Sequence, residues 1–314
     1  MTIRKFFVLT LFSCLSTFGY PQHKTPVTKP LIKPSARVKQ KAALTLKSDN
    51  SLLYEISGKG LARPSWLFGT MHVLCAEDAI LSEGLKKVIN NSNQVFFEVN
   101  LDNSAEMMNA LKFIRMNEGM KLSDLLTPVE YDRVKRYFEK NKPAIPLTMM
   151  NRFKPFFISA VISEDILDCR NKSSMEQIIL ARAKKEGKAI DGLETMEFQA
   201  SLFDSIPYEK QARDLMSYVD SIDTYKSTME ETVRQYRNQN VEGLDSLMQK
   251  SDPGMLDYMD LILYQRNRRW YSQIVEQIFQ HSTLFAVGAG HLGGEKGLIN
   301  LLRKQGFIVQ PIKN

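Results

Sequence analysis

Two segments of the chain repeat one pattern, in which a short apolar run ends in Gly-x-x-His and is followed by a loop, an amphipathic helix and a second apolar run. The first segment contains Gly69 and His72, and the second contains Gly288 and His291. Apolar runs that are joined through a helix are typical of parallel strands. The pattern therefore predicts an α/β fold whose central sheet is built from two pseudo-repeated βαβ units, with the histidines at the carboxyl ends of their strands.

Hydrophobic periodicity predicts where the individual elements lie. Strands are predicted at residues 52–57, 65–68, 94–99, 188–194, 283–287 and 307–312. The helices of the two units are predicted at 81–89 and 295–304, and a large helical insertion at about 102–260 separates the units. Helices within it are predicted at residues 104–116, 128–139, 152–167, 174–186, 208–239 and 241–249. Their methionines predict either an adaptable peptide-binding surface or, the interpretation we favour, ordinary helical core.

The N-terminus has the pattern of an export signal. Arg4 and Lys5 precede a mainly apolar stretch at 6–18 that is too short to span a bilayer, and small residues favour cleavage after Gly19. Residues 1–19 are therefore predicted to be the signal peptide of a protein that works in the periplasm or outside the cell. Lipidation at Cys14 is the alternative. No second apolar segment in the sequence is long enough to predict a transmembrane helix.

The excess of positive charge is confined to the N-terminal part of the chain. The formal net charge is +7, yet residues 1–48 contain nine Lys and Arg and no Asp or Glu. The α/β domain, predicted at 49–314, is therefore slightly acidic, and no nucleic-acid-binding domain is expected. Residues 20–48 contain four prolines and few large apolar side chains, which predicts a disordered basic linker. We interpret this linker as a solubilising tether, with weak attraction to anionic envelope surfaces as the alternative.

Two cysteines remain after the predicted signal peptide. In an exported chain, Cys75 and Cys169 favour a disulfide. Two free buried thiols are the alternative. Metal ligation by Cys75 is a third interpretation, which no CxxC spacing supports.

Carboxylates accompany the two histidines in the predicted strands. Glu98 interrupts an otherwise apolar strand, where a carboxylate is costly unless it is paired or binds a metal. Glu194 lies at the end of another predicted strand. The alternatives are an outward-facing strand residue for Glu98 and a helix cap or loop residue for Glu194. A histidine beside such carboxylates supplies a metal ligand or a proton carrier, and the neighbouring glycines let the backbone lie close to a ligand.

A polar pair lies on one face of a predicted helix. The spacing of three apolar residues predicts this helix and puts Asn267 in the middle of the apolar face, with Arg266 on its border (Trp270, Ile274 and Ile278). Such groups need partners, either a carboxylate or oxyanion of the site or a purely structural ion pair. The glycine-rich segment after His291 is predicted to open a helix, whose N-terminus would favour an anion.

Taken together, these motifs resemble the TraB/GumN family, which is related to the Tiki metalloproteases and to the erythromycin-esterase/ChaN-like fold. The resemblance covers roughly residues 50–313. It is carried by the segments Gly69-Thr70-Met71-His72, Gly288-Ala289-Gly290-His291, Phe97-Glu98-Val99, Gly192-Leu193-Glu194-Thr195 and Arg266-Asn267.

The resemblance implies a divalent-metal site, with Mn²⁺ or Co²⁺ rather than Zn²⁺, that is built by His72, His291 and Glu98. Arg266 and Glu194 would act beside Glu98 in catalysis. Three further residues would contribute to binding of the metal cofactor: Gly69, Gly288 and Asn267. The implied function is a metal-dependent hydrolase, most readily a peptidase, with a peptide or another small acyl substrate. The alternative is a non-catalytic protein that binds a peptide or a haem in the same cleft.

Overall fold

A six-stranded sheet covered by helices forms the centre of the fold. The computed structural model describes residues 50–250 and 258–314. Within them the α/β fold class is confirmed. The predicted signal peptide at 1–19 and the predicted linker at 20–48 lie outside the described residues.

Eight strands are present in the part of the chain that the structure describes. They are Leu53–Ser57 (β1), Ser65–Thr70 (β2), Leu74–Cys75 (β3), Gln94–Val99 (β4), Lys172–Ser173 (β5), Ala189–Glu194 (β6), Thr283–Gly288 (β7) and Ile308–Pro311 (β8). The sheet has the order β6-β4-β7-β2-β1-β8, and β3 pairs with β5 in a separate two-stranded ribbon.

The two βαβ units do not stand in the sheet as equivalent repeats. Strands β6, β4, β7 and β2 run parallel to one another, whereas β1 is antiparallel to both β2 and β8. In the first unit, β7 separates β2 from β4, and in the second unit, β2 and β1 separate β7 from β8. The predicted pseudo-repeat is therefore not confirmed. Strands of the two units instead alternate across the sheet, in the order β4, β7, β2 and, beyond β1, β8.

The described residues contain thirteen α-helices. They are Glu83–Asn91 (α1), Ser104–Ala110 (α2), Leu122–Leu125 (α3), Pro128–Asn141 (α4), Leu147–Met150 (α5), Pro155–Ile166 (α6), Met175–Lys185 (α7), Met196–Ser201 (α8), Tyr208–Asp220 (α9), Ile222–Arg237 (α10), Val241–Gln249 (α11), Gln265–Gln280 (α12) and Leu298–Lys304 (α13). A single π-helical turn, Asp260–Tyr264, leads directly into α12.

Two of the predicted helices of the insertion are interrupted by tertiary contacts. The helix predicted at 104–116 ends at Ala110, and Arg115 forms an isolated β-bridge with Phe153 instead of continuing it. The helix predicted at 208–239 is divided at Ser221 into α9 and α10. This break lets the rings of Tyr218 and Tyr225 meet at 3.9 Å, which two turns of one straight helix would prevent.

The helix predicted at 295–304 begins only at Leu298. Gly297 caps it, and a Cβ at Gly297 would lie 2.0 Å from the carbonyl oxygen of Gly293, so the chain makes a tight turn there before the helix. The expected helix N-terminus therefore does not directly follow His291, which instead ends a short 3-10 turn, Ala289–His291. Because α13 has only seven residues, we assign no anion site to it.

The centre of the sheet brings two strand ends together. Every residue of β2 and β7 is buried, as a strand covered on both faces requires. The strands are parallel, with Thr70 paired to Gly288 at their carboxyl ends. The chain segments that carry the two histidines therefore leave the sheet side by side.

The predicted disulfide is present. Cys75 and Cys169 are bonded, with a Cα–Cα distance of 5.8 Å. The bond joins strand β3 to the segment that follows α6, and β3 is also paired with β5. In this way the helical insertion is tied to the chain directly after the first Gly-x-x-His segment.

Within residues 50–250 and 258–314, no helix combines the length and the apolar character that a membrane crossing needs.

Candidate active site

Three side chains meet around the α-carbon of Gly288, the last residue of β7. A Cβ at this position would lie 3.0 Å from Glu98 Oε1, 3.2 Å from His72 Nε2 and 3.7 Å from His291 Cδ2. Glycine is required here because any side chain would occupy the space between these groups. The structure thus brings the two predicted histidines and the predicted carboxylate together, although they are far apart in sequence.

Glu98 faces this space from β4 and is buried. Its Oε1 accepts a hydrogen bond from the Gly288 N–H at 2.8 Å, and its Oε2 accepts one from Arg266 Nη2 at 2.5 Å. Burial favours the neutral form, but the Arg266 guanidinium outweighs it and holds the pKa of Glu98 well below its usual range. Glu98 is therefore an ionised carboxylate inside the protein rather than an outward-facing strand residue.

Arg266 is fully buried and lies between two carboxylates. Besides Glu98, it donates from Nε and Nη2 to Glu194 Oε1, at 2.9 and 2.6 Å. Its Nη1 donates to the Ile262 carbonyl at 3.0 Å and lies 3.2 Å from His291 Nε2. Burial works against the charged guanidinium, yet the two carboxylates raise the pKa of Arg266. The arginine is a fixed cation with every nitrogen engaged.

Glu194 pairs with the same guanidinium as Glu98, but the pKa of Glu194 is shifted in the opposite direction. Burial raises the pKa of Glu194, the nearby charge of Glu98 adds to the effect, and Arg266 only partly opposes it. One guanidinium cannot neutralise two buried carboxylates, so their pKa values are pushed in opposite directions. The other oxygen of Glu194, Oε2, accepts a hydrogen bond from Trp270 Nε1 at 3.0 Å.

His291 is oriented by Asn267 on α12. The Asn267 Nδ2 group donates to the carbonyl oxygens of His291, at 3.2 Å, and of Lys296, at 3.1 Å. Asn267 Oδ1 is thereby turned to His291 Nδ1 at 2.7 Å, so Nδ1 carries the proton and Nε2 presents a lone pair. Burial lowers the pKa of His291 to about 3, with Arg266 adding to the effect, and the imidazole is neutral. The structure thus brings Asn267 into contact with His291 on both its ring and its carbonyl oxygen.

His72 has a carboxylate partner that the sequence reasoning missed. Its Nδ1 lies 2.5 Å from Glu176 Oε1 near the start of α7. Burial opposes the imidazolium, but the Glu176 charge outweighs it and raises the pKa of His72, while His72 in turn lowers the pKa of Glu176. A helical wheel would have revealed Glu176, because it shares a face with the buried Ile179 and Ala183, three and seven residues further on.

Gln199 is a second residue that sequence reasoning missed. Its Nε2 donates to Glu98 Oε2 and to Glu194 Oε1, both at 3.1 Å, and so links the two carboxylates. Its place on α8 between the buried Met196 and Phe203 is again an apolar position filled by a polar residue.

Gly69 lies near the site but faces other groups. A Cβ there would lie 2.9 Å from Leu292 Cδ1 and 3.1 Å from Ala289 Cα, so the glycine lets the segment after β7 pack closely on β2. Its carbonyl oxygen accepts a hydrogen bond from Tyr236. Gly69 thus shapes the backbone that carries His72, and Gly288 alone of the two glycines faces the histidines.

The donor set fits a divalent metal ion in its chemistry. Two imidazoles and one carboxylate are ligands that Mn²⁺, Co²⁺ and Zn²⁺ share, and both imidazoles have their Nδ1 atoms beside an oxygen acceptor, as metal-binding histidines usually do. Arg266 Nη1 lies 3.2 Å from His291 Nε2, the ring nitrogen that would bind the ion. In the described residues, no group of three or more His, Cys, Asp or Glu side chains has the geometry to hold a metal ion.

Comparisons with known proteins found a matching family and several relatives. The model of the TraB/PrgY/gumN family matches residues 52–311. Metalloprotease TIKI2 of Danio rerio is 21% identical over 84% of this chain and 61% of its own length. The Metalloprotease TIKI homolog of Amphimedon queenslandica is 23% identical over 84% of this chain and 62% of its own length. The chain therefore spans less than two thirds of these relatives. No solved structure matches it.

Proposed function

This chain belongs to the TraB/PrgY/gumN family, and from that premise we propose that it is a metal-dependent hydrolase, a peptidase, that acts outside the cytoplasm. The observation that carries the proposal is the arrangement of the two imidazoles. Each has its Nδ1 against an oxygen acceptor, and His72 Nε2 and the His291 ring both lie beside Gly288, next to the ionised Glu98. The metalloprotease names of the relatives support the same class of reaction.

His72, His291 and Glu98 would hold the ion, with Mn²⁺ or Co²⁺ preferred to Zn²⁺. A divalent ion bound there would polarise an acyl bond and make water acidic enough to attack it. Three ligands from the protein leave coordination positions open, as a catalytic site requires.

The remaining residues set the charge and the shape of the site. Arg266 keeps Glu98 ionised, and Glu194 and the Ile262 carbonyl hold Arg266 in place. Gln199 fixes the distance between the two carboxylates by donating to both. With a guanidinium already oriented toward the ion site, we propose that Arg266 supplies the positive charge that stabilises an oxyanion as a peptide or another small acyl substrate reacts.

Export is the second part of the proposal. The Cys75–Cys169 bond supports it, because disulfides persist in oxidising compartments such as the periplasm and the extracellular space. The signal-like residues 1–19 point the same way, and the basic linker at 20–48 would then be a solubilising tether.

We expect His72→Gln to reduce hydrolysis by more than about 10²-fold, because loss of a ligand costs more than loss of a residue that only orients one. Glutamine is chosen because its amide can still donate to Glu176 and leave no unpaired buried carboxylate. The measurement is cleavage of a peptide library with Mn²⁺ present and again after chelation with EDTA, which should also remove the activity.

The matched control is His281→Gln, because His281 is exposed and lies outside the site. Its activity should equal that of the unchanged protein. Undiminished cleavage by His72→Gln or in EDTA would contradict the proposal. Tight metal binding with no cleavage of any peptide would instead support a non-catalytic protein that captures a peptide or a haem.

A further inference from the structure

Glu176 is a buried carboxylate to which the proposed function gives no role. Its side chain and that of His72 are each 6% exposed, and Oε1 lies 2.5 Å from Nδ1 of the imidazole. A buried carboxylate is costly and is retained in a core only where it is paired or performs a task. The question is what this one does.

Among the described residues, His72 is the ion-pair partner of Glu176, and no Lys or Arg pairs with it. Its other neighbours are neutral: the Thr70 hydroxyl, whose hydrogen bonding also lowers the pKa of Glu176, and the ring of Tyr236. His72 is therefore the group that Glu176 serves. His72 Nδ1 and Glu176 Oε1 are 2.5 Å apart, but the contact does not have the full geometry of a hydrogen bond.

The backbone is built to bring these two residues together. The chain after His72 enters β3, and β5 leads into α7, which carries Glu176. The two strands pair antiparallel, and the Met175 N–H donates to the Met71 carbonyl at 3.2 Å. The residues that follow these two, His72 and Glu176, are thus held opposite each other. The Cys75–Cys169 bond closes the same ribbon.

We infer that Glu176 is a positioning residue that accepts the Nδ1 proton of His72, fixes the imidazole as its Nδ1–H tautomer and leaves the lone pair on Nε2, beside Gly288. The ring nitrogen that faces a hydrogen-bond acceptor keeps the proton, and the lone pair is then on the other ring nitrogen. A free imidazole prefers the proton on Nε2, the atom that would have to be bare. Without an acceptor at Nδ1, the proton would sit on Nε2, and the lone pair would be on Nδ1, on the side of the ring away from the site.

The second histidine supports this assignment by the same arrangement with a different residue type. Asn267 Oδ1 lies 2.7 Å from His291 Nδ1 and orients the ring as Glu176 orients His72. The two Gly-x-x-His segments thus each use an acceptor from a separate helix, α7 or α12, to select the tautomer.

The test compares Glu176→Met, which removes the acceptor, with Glu176→Gln, which keeps one acceptor oxygen. We expect long-range ¹H–¹⁵N spectra of the metal-free protein at alkaline pH to show Nδ1–H for His72 in the unchanged protein and in Glu176→Gln, and Nε2–H in Glu176→Met. For Mn²⁺ affinity, measured by calorimetry and resting on the proposed function, we expect a 10- to 100-fold loss in Glu176→Met only, the usual order for a residue that orients a metal ligand.

Gln177→Met is the matched control, as the next residue of the same helix and half-buried. It should change neither the tautomer nor the affinity. The inference is overturned if Glu176→Met keeps the Nδ1–H tautomer, or if Glu176→Gln shifts to Nε2–H. Failure of the unchanged protein to bind Mn²⁺ would refute the proposed function alone, because the tautomer is read without metal. If Glu176→Met does not fold, Glu176→Ala, which also removes the acceptor, takes its place in the same comparison.

Discussion

Replacing Arg266 with methionine is expected to lower the free energy of unfolding by about 3–5 kcal/mol, the usual cost of removing one partner from a buried ion pair. Arg266 is 0% exposed and pairs with Glu98 and Glu194 through hydrogen bonds of 2.5–2.9 Å. Without it, two buried carboxylates face each other with no cation between them. Urea denaturation followed by circular dichroism measures the change.

Two further variants show whether charge is the cause. Arg268→Met removes a half-exposed arginine of the same helix that pairs with Asp260 at 3.1 Å, and it should cost less than about 1 kcal/mol. Adding Glu98→Gln and Glu194→Gln to Arg266→Met should recover part of the loss, because no uncompensated charge then remains. A loss of less than about 1 kcal/mol in Arg266→Met would contradict this account of the site.

The disulfide is expected to contribute on the order of 4 kcal/mol to the stability of the domain. It joins residues 94 positions apart, and in the chain-entropy model a cross-link of that span strongly restricts the unfolded chain. The double variant Cys75→Ser/Cys169→Ser should therefore unfold at a much lower denaturant concentration than the unchanged protein under oxidising conditions. Mass spectrometry of the protein isolated without reductant should find neither cysteine available to an alkylating reagent before reduction.

The same comparison under reducing conditions is the control. Once the disulfide is reduced, the unchanged protein and the double variant should unfold at nearly the same denaturant concentration, since the serines replace thiols of similar size. Equal stability of the two proteins under oxidising conditions, or two alkylatable thiols in the protein isolated without reductant, would contradict the prediction.

Much of the secondary structure could be predicted because the spacing of apolar residues indicates which positions are buried. Strands β1, β4 and β7 begin and end within about one residue of their predictions, since each is a short apolar run between polar turns. Strand order could not be predicted in this way. The antiparallel β1 lies between β2 and β8, and the alternation of apolar and polar residues in β1 does not show which strands it pairs with.

The candidate site was predictable where an unusual residue stood out within a regular pattern. The Gly-x-x-His segments, Glu98 in an apolar strand and Asn267 in an apolar helix face all converge on one location. Glu176 and Gln199 were missed because a single polar residue on a partly polar helix attracts no notice without a wheel analysis. The roles of all these residues in binding or catalysis remain predictions.

The most direct test of the central claim, that His72, His291 and Glu98 form one divalent-metal site, is a calorimetric titration of the metal-free protein with Mn²⁺. The account predicts one ion bound per chain, with binding abolished in His72→Gln and in His291→Gln and unchanged in His281→Gln. Absence of binding to the unchanged protein, or binding that persists in both site variants, would contradict it.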